Sequence, residues 1–192
     1  EKAYWLGFFY ADCYNCNTTN TVTLSLQIND LVHLQKLAHF IGLPANKITY
    51  TKTKEEYEYY TLKMYSKHLC QTLNEKGCPQ AKSFIIKYPE WMLPKLTIPF
   101  IRGMFDGDGH SKQLDGHVGY TTTSKILIAQ LRTILLNFGM LSKIVKDNRT
   151  TRLFPKGYVS QLKGAAQIII PVAMSKLFYD RIGFGLTRKQ AN

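Results

Sequence analysis

The sequence predicts an α+β protein made of two like halves, each running αββαββα around its own four-stranded antiparallel sheet. Three observations carry that prediction. Two apolar helices with matched small residues recur half a chain apart. A faultlessly alternating stretch follows the first of them. The order of helix and strand signals then repeats.

The recurring helices come first. In PFIRGMFDGDGH (99–110), Ile101, Met104 and Phe105 take the i, i+3, i+4 spacing of one apolar face. Pro99 reads as a first-turn residue and Gly109 as a stop. In AYWLGFFYADC (3–13), Gly7 and Ala11 repeat the small pair Gly103 and Gly107. Asp12 follows Gly7 by five residues, as Asp108 follows Gly103, and the two aspartates lie 96 residues apart in a chain of 192. Small residues four apart leave a groove that admits another backbone, so Gly7, Ala11, Gly103 and Gly107 are expected to form a helix interface about a pseudo-twofold axis. Asp12 and Asp108 then meet at one end. Helix C-terminal carbonyls already disfavour an anion there, so two carboxylates in that place point to a bound cation.

The alternating stretch is TVTLSLQIN (21–29). Val22, Leu24, Leu26 and Ile28 share one face, and Thr21, Thr23, Ser25, Gln27 and Asn29 the other. Asn29 can cap the helix expected over 30–41, which Gly42 stops. Residues 47–54 and 57–65 read as a strand pair, with Tyr57, Tyr59, Thr61 and Lys63 on one face. A short helix over 66–76 ends at Gly77. Prolines 79, 89, 94 and 99 then discourage regular structure. The second half repeats the order: helix 98–107, strand 117–123, amphipathic helix 124–138, strand pair 141–148 and 152–163, and helices over 165–182 broken near Pro171. The expected boundaries are 1–78 for one half, 79–97 for a linker and 98–192 for the other.

Charge narrows the function classes. Lys plus Arg number 25 against 13 acids, a net +12. The first 96 residues carry +3 of this and the last 96 carry +9. That excess favours a polyanion, nucleic acid first. No apolar run nears the ~20 residues of a membrane span, and no membrane partner is expected. No signal-peptide pattern opens the chain, and the missing first Met is what a piece of a longer protein would show. The four cysteines lack a second close pair or a nearby His in zinc register, so free thiols in a reducing cell interior are the expectation.

The stretches WLGFFYADC (5–13) and IRGMFDGDG (101–109) resemble the paired signature helices of the LAGLIDADG homing endonucleases. The repeated αββαββα order, the YTTTSK run (120–125) entering a helix that ends in Phe138-Gly139, and the basic tails extend the resemblance over the whole chain. It implies a monomeric, pseudo-symmetric endonuclease that cuts both strands of a double-stranded DNA target, with two saddle-shaped sheets in the major groove. Asp12 and Asp108 would hold Mg²⁺, or Mn²⁺, with Ca²⁺ giving a non-cleaving complex. The resemblance further implies Gln27 as the residue that positions the attacking water, with Thr122 as its counterpart, and Lys63 and Lys163 as basic catalytic residues. Thr21, Thr23, Ser25, Gln27 and Asn29 would face base edges. Lys143, Lys146, Arg149, Arg152 and Lys156 would reach phosphates. The family's mobility by intron or intein comes with it.

Two departures stand out. Tyr10 replaces a common acid, and Cys13 replaces the glycine after the first metal-binding acid. If that turn needs positive φ, Cys13 strains it, and the two strands would be cut at unequal rates. The same fold also serves non-cleaving DNA-binding regulators and RNA maturases, but both signature acids are present. A calcium loop at 106–109 lacks the further acids and terminal Glu of an EF-hand. A nucleotide-sugar enzyme with an acidic DxD would explain neither the repeat nor the charge.

Overall fold

The structure, a computed structural model, describes residues 1–190 apart from 55, 113–115, 147–150, 154–158 and 162–163; of 151–153 and 159–161 it describes the backbone. The first half runs α1 (Lys2–Asp12), β1 (Tyr14–Cys16), β2 (Thr21–Gln27), α2 (Leu31–Phe40), β3 (Ile48–Lys52), β4 (Glu58–Tyr65) and α3 (Lys67–Glu75). The second runs α4 (Pro94–Asp108), β5 (Gly109–Ser111), β6 (Val118–Thr122), α5 (Lys125–Asn137), β7 (Lys143–Lys146), β8 (Thr151–Leu153), β9 (Val159–Gln161), β10 (Ala166–Ile170) and α6 (Val172–Arg181).

Each half builds a four-stranded antiparallel sheet of the same topology, β1-β2-β4-β3 and β5-β6-β10-β7. Period two decides which face is inside. Val22, Leu24 and Leu26 of β2 are buried, as are Val118 and Tyr120 of β6 and Ile168 and Ile170 of β10. The inner faces pack on α2 and α3 in the first half and on α5 and α6 in the second. Ser66 and Ser124 cap α3 and α5, each hydroxyl accepting from the backbone N–H three residues on at 3.1 Å. Among the described residues no helix is long and apolar enough to cross a membrane.

The two halves superpose in register as well as in order. Tyr14 pairs with Thr23 as His110 pairs with Gly119, each pair displaced by 96 residues. Ser25 pairs with Thr61 as Thr121 pairs with Gln167. The second half therefore carries ten extra residues before its third sheet partner, and β8 and β9 occupy that insertion as a separate two-stranded ladder.

Here the structure corrects the sequence reading. The fourth strand is Ala166–Ile170, not a strand over 152–163 or a helix from 165. The run AAQIII is apolar at nearly every position, and short apolar runs do not distinguish strand from helix. Pro171 then opens α6 as its N-cap, where a helix begins rather than bends. α4 likewise starts at Pro94, so Pro99 lies inside the helix instead of in its first turn. Asn29 falls in a 3₁₀ turn, Ile28–Asp30, and makes no cap hydrogen bond.

Candidate active site at the helix interface

α1 and α4 pack backbone to backbone because glycine allows it. Gly7 lies against the Phe100 carbonyl and Gly103 against the Tyr4 carbonyl, and a Cβ at either would fall inside the opposite main chain. One turn on, Gly107 faces Ala11, and a Cβ there would lie 3.0 Å from an Asp12 carboxylate oxygen. The stripe of small residues thus brings the two helices together and leaves room for Asp12 at their shared end.

Asp12 and Asp108 are the last residues of α1 and α4. Both carboxylates reach solvent, yet protein crowds them closely enough to remove much of their hydration. Burial raises Asp12 above the ordinary carboxylate range, against the pull of Lys189, Lys82 and Arg188. Burial and then the charge of Asp12 push Asp108 up to about 7. A carboxylate pushed up by burial and by a second carboxylate beside it marks a site short of positive charge. The chain leaves both helices in extended conformation, Cys13 at φ −81° and Gly109 at φ −80°. Cys13 is therefore unstrained, and the expected reason for unequal strand cutting falls away. Gly109 is needed for space instead, since a Cβ there would press on the Phe105 carbonyl at 2.5 Å.

Two lysines converge on these helix ends. Lys82, in the connector, donates to the Cys13 carbonyl at 2.5 Å. It also lines a recess of about 260 Å³ with Asp108, Tyr120 and Thr122. Lys189 is buried and donates to the carbonyls of Phe105, Asp106, Gly107 and Gly109 at 2.5–3.2 Å. An ammonium suits the negative end of a helix, and four carbonyls replace the water it gives up. Burial and the nearby Arg188 still bring Lys189 down to about 8. Tyr120, fully buried, holds its hydroxyl 3.5 Å from Asp108.

Asp106 has a different task. Its buried carboxylate accepts from the N–H groups of Gly185 and Leu186 at 2.8–3.0 Å and from the Tyr4 hydroxyl at 2.5 Å. It thereby fastens the C-terminal segment across the helix pair. Arg188 completes the strap with an ion pair to Asp30 of the first half at 2.9 Å. Tyr10 occupies the matching place on α1 and donates to the Lys76 carbonyl, so a donor there fastens the equivalent segment where the second half uses an acceptor.

The remaining expected site residues divide. Gln27 ends β2 and donates to Asp30 at 3.2 Å, beside the ion pair whose two members both act on Asp12. Thr23, Ser25 and Gln27 lie on the outward face of β2, Thr21 is buried at its start, and Asn29 is exposed beyond its end. Lys63 lies on β4, opposite Thr23, in a separate recess with Lys47 and Thr49. By register its counterpart is Ile169, not Lys163. The match of TLK to QLK misled because the inserted hairpin displaces the second half's sequence before β10. Lys143 and Lys146 are exposed on β7, and Arg152 belongs to β8. Arg149, Lys156 and Lys163 lie outside the described residues. Lys82, Lys189 and Tyr120 were missed as site residues; the likeness of the two tails, each ending in a basic stretch, was the available signal.

The donor set suits a hard divalent cation. Among the described residues no three of His, Cys, Asp and Glu cluster. Two carboxylates with helix-end carbonyls nevertheless match Mg²⁺, which takes few protein oxygens and keeps waters and phosphate oxygens.

Comparison with known proteins agrees with this fold. Residues 97–183 match the family model described as a LAGLIDADG-like domain. The chain superposes on the homing endonuclease I-DmoI, solved in complex with DNA and calcium, at TM-score 0.62 and 17% identity, covering 94% of this chain and 87% of that one. It superposes on I-WcaI bound to its DNA recognition sequence at TM-score 0.60 and 12% identity, over 97% and 82% of the two chains. Full-length DUF199/WhiA from Thermatoga maritima gives TM-score 0.61 and 18% identity, over 95% of this chain and 54% of that one. Curated relatives include a DNA-directed RNA polymerase subunit Rpo1C of Methanocaldococcus jannaschii, 23% identical over 192 residues. They also include a probable translation initiation factor IF-2 of Thermococcus kodakarensis, 34% identical over 73 residues. The chain spans only 20% and 6% of those two proteins, all of itself in the first case and 38% in the second. The chain thus has the fold of the single-chain homing endonucleases, and its second half matches the LAGLIDADG-like domain model.

Proposed function

We propose that this chain is a two-motif LAGLIDADG protein and a site-specific endonuclease that hydrolyses both strands of a double-stranded DNA target. The observation that carries the proposal is the closeness of Asp12 and Asp108, one from each half, at the ends of the packed helices α1 and α4. A divalent cation bound there, Mg²⁺ or Mn²⁺, would supply Lewis-acid stabilisation of the phosphate's developing charge. Asp12, Asp108 and the adjacent helix-end carbonyls would hold it. Lys82 would stabilise the charge that develops on a phosphate, Lys189 would brace the end of α4 that carries Asp108, and Gln27 with Asp30 would orient water beside Asp12. The outward faces of the two sheets, with Thr23, Ser25 and Gln27 on one and Lys143 on the other, would track the major groove as a monomer's two pseudo-symmetric arms, with Lys146 reaching a phosphate from the exposed end of β7. Lys163, Arg149, Arg152 and Lys156 remain candidates for phosphate contact in the inserted segment.

Matches within proteins as unlike as a polymerase subunit and a translation factor support an origin as a mobile, intron- or intein-borne element. The test is cleavage selection from a randomised duplex library with Mg²⁺, with EDTA and Asp108→Asn as controls. A cut sequence that appears only with Mg²⁺ and intact Asp108 supports the proposal. Specific binding with no cutting in Mg²⁺ or Mn²⁺ would instead assign a non-cleaving DNA-binding role to the same fold.

A further inference from the structure

Outside the metal site, three residues of the second sheet converge on its outward face. Gln167 Nε2 of β10 lies 2.7 Å from His110 Nε2 of β5. Gly119 of β6 sits between them, and a Cβ there would come within 2.5 Å of the His110 ring and 3.0 Å of the Gln167 amide. The missing side chain is what lets the other two meet across β6. The corresponding register of the first sheet holds Tyr14, Thr23 and Thr61, so this arrangement belongs to one half alone. Beyond Gln167, directly paired to it on β7, stands Val145, 41% exposed. Side chains at such paired positions share a face with Cβ atoms about 5 Å apart.

We propose that Gln167, steadied by His110 over Gly119 and flanked by Val145, reads one A·T base pair in the half-site of the second sheet. This rests on the DNA-binding reading above. A side-chain amide bonded to imidazole through one group keeps a donor and an acceptor free. Adenine offers the complement in the major groove, an acceptor at N7 and a donor at N6, and thymine adds a methyl on the same edge. The amide matches the adenine, and Val145 covers the methyl. A guanine would set its O6 against the amide oxygen and reject the pair. The imidazole holds the amide in place before DNA arrives, so less freedom is lost on binding.

The test is selection of binding sites from a randomised duplex library in Ca²⁺, so that the readout does not depend on cutting. For the natural chain, one position should favour A·T by about tenfold or more. In Gln167→Ala that preference should fall to about twofold while the other positions keep theirs. Replacing the thymine at that position by uracil should weaken the natural chain several-fold and leave Val145→Ala unaffected. If Gln167→Ala retains every positional preference, or if uracil costs both proteins equally, the inference is overturned while DNA recognition stands. If the natural chain selects no sequence, the DNA-binding reading falls and this inference with it.

Discussion

The Tyr4 hydroxyl on α1 donates to the Asp106 carboxylate on α4 at 2.5 Å, and His33 of the first half approaches the same hydroxyl at 2.9 Å. A phenol has one proton, and it goes to Asp106. His33 must therefore be the donor in its own bond, with the proton on Nε2. One hydroxyl thus ties both halves to the C-terminal strap. Tyr4→Phe removes a bond to a charged group and is expected to cost about 1.5–3 kcal/mol, read from urea unfolding. An unchanged midpoint and slope would count against this linkage.

His33 gives the protein a pH response. Burial, with Lys36 close by, lowers it to about 4 from an ordinary 6.5. The unfolded chain takes up a proton as the pH falls through 6.5, while the folded chain does so only near 4. Stability present above pH 6.5 is thus lost progressively toward pH 4, on the order of 2–3 kcal/mol from this group. His33→Gln should flatten that stretch of the thermal midpoint against pH. An unchanged slope would assign the acid loss to other groups.

Gly103→Ala and Gly7→Ala each place a methyl inside an opposing carbonyl. The helices must separate, and overpacking against rigid backbone costs more than the ~1–3 kcal/mol found where side chains yield. Both variants are expected to unfold at markedly lower temperature. Gly42→Ala serves as the comparison, because nothing lies within 4 Å of its added Cβ and only its positive φ of +73° is strained.

Asp108→Asn separates chemistry from stability. Because the folded pKa of Asp108 is raised to about 7, the ionised form opposes folding, and this penalty grows as the pH rises from about 4 through 7. In metal-free protein the variant should therefore melt higher than the natural chain at pH 8 and nearly alike at pH 4. Mg²⁺ should raise the melting temperature of the natural chain at pH 8, and much less that of the variant. Equal stabilisation of both by Mg²⁺ would place the cation elsewhere.

The two lysines should part company. Lys189→Met strands four carbonyls at the end of α4 and is expected to lower the melting temperature as well as activity. Lys82→Met leaves one such carbonyl, on Cys13, and should slow cleavage with little loss of stability. Thermal melts beside single-turnover cleavage rates distinguish the two, and a cleavage rate unchanged in Lys82→Met would remove it from the site.

Much of this architecture was legible from patterns of short period. The alternation over 21–28 told which side of β2 is buried, and the glycine spacing in 5–13 and 101–109 told which helix faces meet. Those signals are local, and a period of two or of 3.6 leaves few ways to hide apolar area. β10 escaped because Ala166–Ile170 is apolar at every position but Gln167, so it shows no alternation, and Lys63 was matched to Lys163 because an insertion shifts chain position without shifting place in the sheet. Lys82 and Lys189 carry no local mark at all. A lone lysine in a polar segment reads the same whether it dangles in water or caps a helix 70 or 80 residues back.

By itself, then, the sequence determined that two halves pair through small-residue helices and that Asp12 and Asp108 end them, because close helix contact requires glycine or alanine at fixed spacing. Only the tertiary structure decided which cations answer those acids, why Asp106 serves as a fastener instead, and how His110, Gly119 and Gln167 come together on one face. Such meetings depend on sheet register and on where a tail crosses the fold, and both are settled by long-range packing that no window of neighbouring residues contains.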